Sequence, residues 1–358
     1  MLRLAFWRVD LGGRGPGHAL RDILTPAAAP LLKAKLIAHK APDILVLSGL
    51  DHDHALVALH AFRDLIAEQG HDFRYLYAKP PNSGLLTGLA PAEPSRPTHP
   101  DDPHGYGHFR GAGGLALLSR VTIVDADAQD FATFLWQDLP DAQLPQMTAQ
   151  RQPVQRLSST GHWNVPLDLD TGARLHLLIY QAGPPVFGPA GGWNRARNHD
   201  ETAFWLAYLD HRLPMPPPEA PVVVIGGSNL DPFDGDGQHD AMRALITHPR
   251  LQDPQPESRG AVEAAWTARD QAHLGPAAQD TVHWPQDPGP GNLRVSYILP
   301  DASLTVIRSG VFWPGSDSPD ATLLGDPDDP PTRHRLVWVD LDVSGLGVPN
   351  DQLEESRP

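Results

Sequence analysis

The chain has 358 residues, no cysteine and a formal net charge of -15, from 28 basic and 43 acidic residues. The lack of cysteine excludes disulfides, thiolate metal sites and cysteine nucleophiles, and the negative charge disfavours non-specific binding to nucleic-acid phosphates. No apolar run approaches the roughly 20 residues of a membrane-spanning helix, and the first residues lack the apolar core of a secretory signal. We therefore expect a cytoplasmic protein of bacterial type.

Predicted strands alternate with predicted helices in the first half of the chain. Apolar runs favour strands at residues 2–9, 43–47, 73–77, 114–119 and 121–124. Apolar residues at helical spacing favour helices at 30–39 and 55–68, and residues 131–135 fit a short helix or strand. Residues 78–113 are rich in proline, glycine and histidine and predict a long surface loop, which is uncommon unless it is functional.

The second half of the chain is richer in predicted strands. A hairpin is expected at 161–166 and 174–180, and further strands at 222–225, 293–299, 304–312 and 336–343. Helices are expected at 199–213 and from about His239, with long loops at 183–198 and 249–291. No linker isolates half of the chain, so we expect one domain over residues 1–345 and a polar tail at 346–358.

Polar residues follow the buried strand at 222–225. Gly226 and Gly227 are expected to stop this strand, and Asn229 and Asp231 come next. Polar groups at the end of a buried strand are typical of sites in α/β proteins. A plain strand–loop–helix junction has the same pattern, so the rest of the chain must decide between the two interpretations.

Several segments, taken in order, carry a family resemblance. They are DILVL at 43–47, GGLALLSR at 113–120, RNHDE at 197–201, VVVIGGSNLDP at 222–232, NLRVSYILP at 292–300 and TRHRLVWVDL at 332–341. Together they resemble the endonuclease/exonuclease/phosphatase superfamily. The resemblance covers about residues 2–343. It implies a four-layer DNase I-like α/β sandwich, with two mostly antiparallel sheets flanked by helices. It also implies Mg²⁺-dependent hydrolysis of phosphate esters.

Two residues match functional positions of that family. Asn229 corresponds to the Asn of a G-D-x-N motif that stabilises the phosphate, and His334 to a C-terminal His that takes a proton from the attacking water. The other positions differ from the family pattern. Arg8 or Trp7 replaces an Asn, Gly49 the metal-holding Glu, Gln181 a His, and Gly227, Ser296 and Arg333 replace Asp residues.

These departures predict impaired catalysis. Gly49 removes the main metal anchor, and Arg333 puts a cation where a carboxylate would stabilise the imidazolium of His334. Catalytic groups that act as a unit do not tolerate piecemeal loss. We therefore expect a binding or assembly module without a cofactor, whose partner is another protein or a small phosphate-containing ligand.

A different hypothesis is a divergent phosphodiesterase or phosphatase. Asp51 or Asp53 would then hold Mg²⁺, Asn229 would stabilise the phosphate and His334 would act as the general base. Asp51 has the same extended-chain parity as Gly49, so its carboxylate could reach the metal position. The ordinary interpretation of Asp51 is a loop or N-cap residue before the helix at 55–68.

Arginines near the altered positions suggest a third kind of site. Arg8, Arg333 and Arg335 would turn a metal site into an anion site, in which guanidinium groups bind a phosphate or carboxylate without Mg²⁺. Ordinary solvated arginines at the rim are the alternative. Gln181 at a strand end and Tyr106 in the long loop are further candidate binding residues.

Overall fold

The fold consists of two stacked β-sheets with helices on their outer faces. The computed structural model describes residues 1–25, 28–89, 103–188, 191–268, 273–287 and 289–347. The strands are β1 (Leu2–Leu11), β2 (Ile44–Leu50), β3 (Tyr75–Tyr77), β4 (Gly114–Ser119), β5 (Thr122–Ile123), β6 (Gln129–Asp130), β7 (Gly161–Asp168), β8 (Arg174–Gln181), β9 (Val222–Gly227), β10 (Val282–His283), β11 (Asn292–Leu293), β12 (Ser296–Pro300), β13 (Thr305–Val311) and β14 (Val337–Asp342). The helices are α1 (His18–Leu24), α2 (Ala28–Lys40), α3 (Val57–Glu68), α4 (Trp193–Leu209), α5 (Asp240–Ile246) and α6 (Arg259–Ala268).

Each large sheet is mostly antiparallel and contains one parallel pair of strands. The first has the order β13-β14-β1-β2-β4-β3, in which β1 and β2 are parallel. The second has the order β12-β9-β8-β7-β5, in which β8 and β9 are parallel and β6 pairs with β7. Strands β10 and β11 form a separate hairpin.

Alternation of side chains along the strands explains the layering. Leu4 and Phe6 of β1 face the core between the sheets, which they share with Ile225 of β9. The next residue, Trp7, points to the outer side, where it belongs to the same apolar cluster as Phe62 of α3. The outer face of the second sheet is covered in the same way by aromatic residues of α4, namely Phe204, Trp205 and Tyr208. The predicted four-layer α/β sandwich is therefore confirmed.

Some predicted element bounds were wrong. Helix α4 begins at Trp193 rather than at residue 199, directly after Gly192, which has φ 76°. Strand β9 continues through Gly226 and Gly227, which pair with Tyr180 and Gln181 of β8. A side chain at Gly226 would overlap the carbonyl oxygen of Tyr180, so these glycines allow close pairing of the strands rather than ending β9.

Other differences involve short elements that carry weak sequence signals. Helix α1 and the hairpin β10–β11 were not expected, and residues 131–135 form neither a helix nor a strand. The predicted surface loop at 78–113 is buried in part, because Asn82 and His104 are 0% and 6% exposed. Its residues 90–102 and the tail at 348–358 lie outside the described residues.

A buried ion pair links the first and last strands of the chain. Asp340 of β14 is fully buried and accepts hydrogen bonds from Arg3 Nε at 2.7 Å and Arg3 Nη2 at 2.8 Å. Arg308 of β13 donates a further bond to it at 2.9 Å. One carboxylate therefore joins three neighbouring strands of the first sheet.

We predict that Asp340→Ala lowers the free energy of unfolding by about 2–3 kcal/mol, because it leaves Arg3 without its partner. This predicted loss is smaller than the loss expected for a fully buried ion pair, because the side chains of Arg3 and Arg308 are 20% and 58% exposed. Urea unfolding measures the change. Asp342→Ala, at the exposed end of the same strand, is the control and should change stability by less than about 1 kcal/mol. Equal losses in both variants would contradict the role of the pair.

Candidate functional site

Strand ends from both sheets meet at one edge of the sandwich. Gly227 at the end of β9 lies between Gln181 of β8 and Ser296 of β12. Thr281 connects this group to the other sheet, because its Oγ1 accepts from the amide of Ser296 at 3.1 Å and its carbonyl accepts from the amide of Arg335 at 2.8 Å. The segment before β14, which contains His334, therefore lies at the same edge as β9.

The parallel strands β1 and β2 are irregular at this edge. Their register shifts between Arg8 and Leu11, where Asp10 has φ 45° and Gly49 of β2 has φ 78°. A side chain at Gly49 would start 3.3 Å from Asp10 Oδ1. The carboxylate of Asp10 therefore lies beside the position where the family has its glutamate. The sequence analysis missed Asp10, because a strand irregularity of this kind has no clear sequence pattern.

Asp10 is surrounded by hydrogen-bond donors. Arg8 Nε donates to Oδ1 at 3.0 Å, Thr332 Oγ1 donates to Oδ2 at 2.7 Å, and Lys33 Nζ donates to the carbonyl of Asp10 at 3.0 Å. Burial opposes ionisation, but the attraction of Arg8 and the other partners outweighs it and lowers the pKa of Asp10. Burial lowers the pKa of Lys33 to about 8, although Asp10 opposes this change.

His334 is buried at the centre of this edge. It is 6% exposed, and its Nδ1 has no hydrogen-bond partner among the described residues. Trp284, directly after β10, covers it with ring centroids 5.5 Å apart and planes at 90°. Burial, together with Arg8, lowers the pKa of His334 to about 3. The imidazole is therefore neutral at pH 7.

Two of the predicted residues meet at a single carbonyl oxygen. Asn229 Nδ2 donates to the carbonyl of Ala182 at 2.8 Å, and Gln181 Nε2 donates to the same oxygen at 2.9 Å. Gln181 Oε1 is buried without a partner in the described structure, and it would overlap a side chain at Gly227. Gln181 therefore fills the space that an aspartate at position 227 would need.

Helix α4 holds these strand ends in place. Glu201, which is fully buried, accepts hydrogen bonds from the amides of Ser159 at 2.5 Å and Gly183 at 2.7 Å. Asn198 Nδ2 donates to the carbonyls of Gly183 and Ser228, both at 2.7 Å. Burial raises the pKa of Glu201, and Arg197 opposes this change. These contacts explain why the segment at 197–201 is part of the family pattern.

The two predicted metal ligands bind backbone amides instead. Asp51 accepts from Gly13 at 2.7 Å and Gly113 at 2.9 Å, one bond to each carboxylate oxygen. Asp53, three residues before the N-cap Leu56, accepts from the first amides of α3, Val57 at 2.8 Å and Ala58 at 2.9 Å. The described residues contain no group of three or more His, Asp or Glu side chains able to hold a metal ion. They therefore do not fit an Mg²⁺ site centred on Asp51 or Asp53.

The predicted arginines do not form one group. Arg8 lies at the edge, 35% exposed, whereas Arg333 is exposed and donates to the carbonyl of His283 at 3.4 Å. Arg335 is buried with its guanidinium 4.6 Å from the ring centre of Trp313. Tyr106 is 64% exposed, and its hydroxyl lies 3.4 Å from His108 Nε2. Of these residues, Arg8 lies beside Asp10 and His334.

Comparison with known proteins identifies the family. The family model described as "Endonuclease/Exonuclease/phosphatase family" matches residues 34–334, which is most of the chain. The chain therefore belongs to the endonuclease/exonuclease/phosphatase family. No curated protein matches it. Within the described ranges, no helix has the length and apolar character needed to cross a membrane.

Solved structures of the family share the fold at low sequence identity. A protein from Beutenbergia cavernae matches with a TM-score of 0.56 and 15% identity, over 96% of this chain and 72% of that chain. A protein from Leptotrichia buccalis matches with a TM-score of 0.53 and 13% identity, over 96% and 100%. One from Bacteroides thetaiotaomicron matches with a TM-score of 0.51 and 12% identity, over 95% and 97%. These matches show the fold alone.

We predict that Gly227→Ala destabilises the protein by about 1–3 kcal/mol, because the new methyl group displaces the buried amide of Gln181. In a Gln181→Ala background the cost should fall by at least about 0.5 kcal/mol, since the two sites are in contact. Denaturant unfolding of the four proteins in this cycle gives the coupling free energy. Gly345→Ala is the control, because a methyl group at that position would meet no atom of the surrounding chain within 4 Å. Additive effects would disprove the contact.

Hydrogen bonds of His273 hold a second loop in place beside the site. His273 Nε2 lies 3.2 Å from Asp280 Oδ1, and its Nδ1 lies 2.9 Å from the carbonyl of Gly275. Asp234, in the loop after β9, accepts from the amides of Leu274 and Gly275, both at 2.8 Å. The hydrogen bond to Asp280 is the main cause that raises the pKa of His273 to about 9.

We predict that His273 makes a contribution to stability that falls as the pH rises from 7 to 9.5, against an opposite contribution above about pH 8 from Lys33, whose pKa is lowered to about 8. The pKa of folded His273, about 9, lies above the ordinary 6.5, so its contribution is complete below pH 6.5 and disappears as the pH passes about 9. Asp280 does not titrate in this window, because burial raises its pKa only to about 6. Urea unfolding should show a smaller decline for His273→Gln than for the unaltered chain. An unchanged decline would contradict this assignment.

Proposed function

We propose that this chain is a catalytically impaired member of its family that acts as a binding or assembly module. The observation that carries the proposal is the environment of His334, whose Nδ1 has no carboxylate partner among the described residues and whose ring is covered by Trp284. A general base must hold the proton that it accepts. With a pKa of about 3, the imidazolium form of His334 is strongly disfavoured at neutral pH.

Other departures at the same edge support this proposal. Gly49 and Gly227 carry no side chain, and Gln181 fills the space beside Gly227. Arg333, at the position of the orienting aspartate, points to the carbonyl of His283. The edge therefore keeps His334 and Asn229 of the family pattern, while the carboxylates that the resemblance expects to hold a metal and to orient His334 are replaced.

The proposed partner is another protein or a small phosphate-containing ligand, in the cytoplasm of a bacterium. The net charge of -15 opposes docking on long nucleic acids, but a small anion can still reach a local cation. The lack of cysteine fits a reducing compartment.

One observation favours a different function, a divergent Mg²⁺-dependent hydrolase of phosphate esters. The carboxylate of Asp10 lies beside Gly49, and Asp10 and His334 interact electrostatically. In this alternative Asn229 would stabilise the phosphate and His334 would act as the general base. The hydrogen bonds of Asp10 to Arg8 and Thr332 weigh against it, because a metal would have to displace them.

An ester-hydrolysis assay separates the two functions. We predict no release of product from bis-p-nitrophenyl phosphate, DNA or RNA with Mg²⁺ or Mn²⁺ above the level seen with His334→Ala. Asp10→Asn should also leave this background unchanged. Metal-dependent hydrolysis that is lost in His334→Ala would contradict impaired catalysis and support the divergent hydrolase.

A further inference from the structure

Arg8 keeps most of its hydrogen-bond donors unused at the candidate site. Its Nε is bonded to Asp10 Oδ1 at 3.0 Å, and its side chain makes no other hydrogen bond within the described ranges. A guanidinium has five N–H donors, so the four on its two terminal nitrogens are available. The side chain is 35% exposed, and these donors can therefore reach a ligand from solvent.

Asp10 orients this guanidinium from one side. The carboxylate is itself held by Thr332 Oγ1 at 2.7 Å, and its backbone carbonyl by Lys33 Nζ at 3.0 Å. Because Asp10 is fixed on both its side chain and its main chain, Arg8 is held in a defined position. A planar guanidinium that is held on one side can donate two parallel hydrogen bonds from its terminal nitrogens. Such a bidentate contact suits two oxygens of a phosphate group.

The local charge at this position is opposite to that of the whole chain. Three cationic side chains interact electrostatically with Asp10 or His334, namely Arg8, Lys33 and Arg335. The carboxylate that opposes them is that of Asp10. Lys33 is mostly charged at pH 7, since its pKa is about 8, and His334 is neutral. A small positive region in a chain of net charge -15 attracts a small anion, whereas the surrounding negative charge repels a large polyanion.

We propose that Arg8 forms a metal-independent binding site for a small oxyanion of the phosphate class. The terminal nitrogens of its guanidinium donate to two oxygens of the ligand, and Lys33 strengthens the interaction through its field. This proposal rests on the proposed function, because it gives a ligand to the same edge of the sandwich. It assigns no direct contact with the ligand to Arg333, which donates to the carbonyl of His283, or to Arg335, which is buried against Trp313.

Calorimetric titration of the full chain in EDTA at low ionic strength tests the site. The probes are inorganic phosphate and glycerol 3-phosphate, which distinguish a site for the free anion from a site for a phosphate ester. We expect binding of at least one probe without divalent metal, and about tenfold weaker binding by Arg8→Gln. The affinity of Arg8→Lys should lie between those of the unaltered chain and Arg8→Gln, since lysine keeps the charge but cannot form a bidentate contact.

Arg333→Gln is the matched control, because it removes an exposed arginine next to His334 in sequence and should leave the affinity unchanged. Circular dichroism and urea unfolding show whether each variant is folded. Binding that requires Mg²⁺, equal losses in Arg8→Gln and Arg333→Gln, or no heat with either probe would overturn the proposal. None of these results bears on impaired catalysis, which depends on the hydrolysis assay with His334→Ala.

Discussion

The buried carboxylate of Glu201 holds together the loops on which the candidate site depends. It accepts hydrogen bonds from the amide of Ser159, just before β7, and from the amide of Gly183, just after β8. A buried carboxylate is stabilised only when hydrogen bonds replace lost hydration, so the two loops and Glu201 fix one another. One turn earlier on the same helix, Asn198 binds the carbonyls of Gly183 and Ser228. Helix α4 thereby fixes the ends of three strands without contributing a reactive group.

The contacts made by α4 involve other residues than those that differ from the family pattern. The supporting contacts lie beneath the strand ends, whereas the altered residues lie at their tips. Gln181 and Gly227 illustrate a compensated change, because the larger side chain occupies the space left by the absent one. Arg8 and Asp10 form a second pair, in which a cation and a carboxylate neutralise each other. Such contacts between neighbouring side chains keep the edge filled, as close packing requires.

Apolar periodicity predicted most of the strands and helices, and the family resemblance of several segments implied the sandwich that they form. Sequence reasoning named Asn229 and Gln181 as separate candidates, and the structure brings both to the carbonyl of Ala182. It did not find Asp10, which reaches the site through a local irregularity with φ 45°. It also could not show that Asp51 binds backbone amides, because its partners Gly13 and Gly113 are distant from it in the chain. Contacts of this kind depend on tertiary structure.

The position of Arg8 bears on the proposal that an anion site stands where the family pattern has a metal site. A divalent cation and a guanidinium both supply positive charge to a bound oxyanion, but they need different surroundings. A metal needs several free oxygen ligands, whereas a guanidinium needs one carboxylate to orient it. The edge offers Asp10, whose oxygens accept from Arg8 and Thr332. Under the proposed function these surroundings orient an arginine toward an anion, because both oxygens of Asp10 already accept hydrogen bonds.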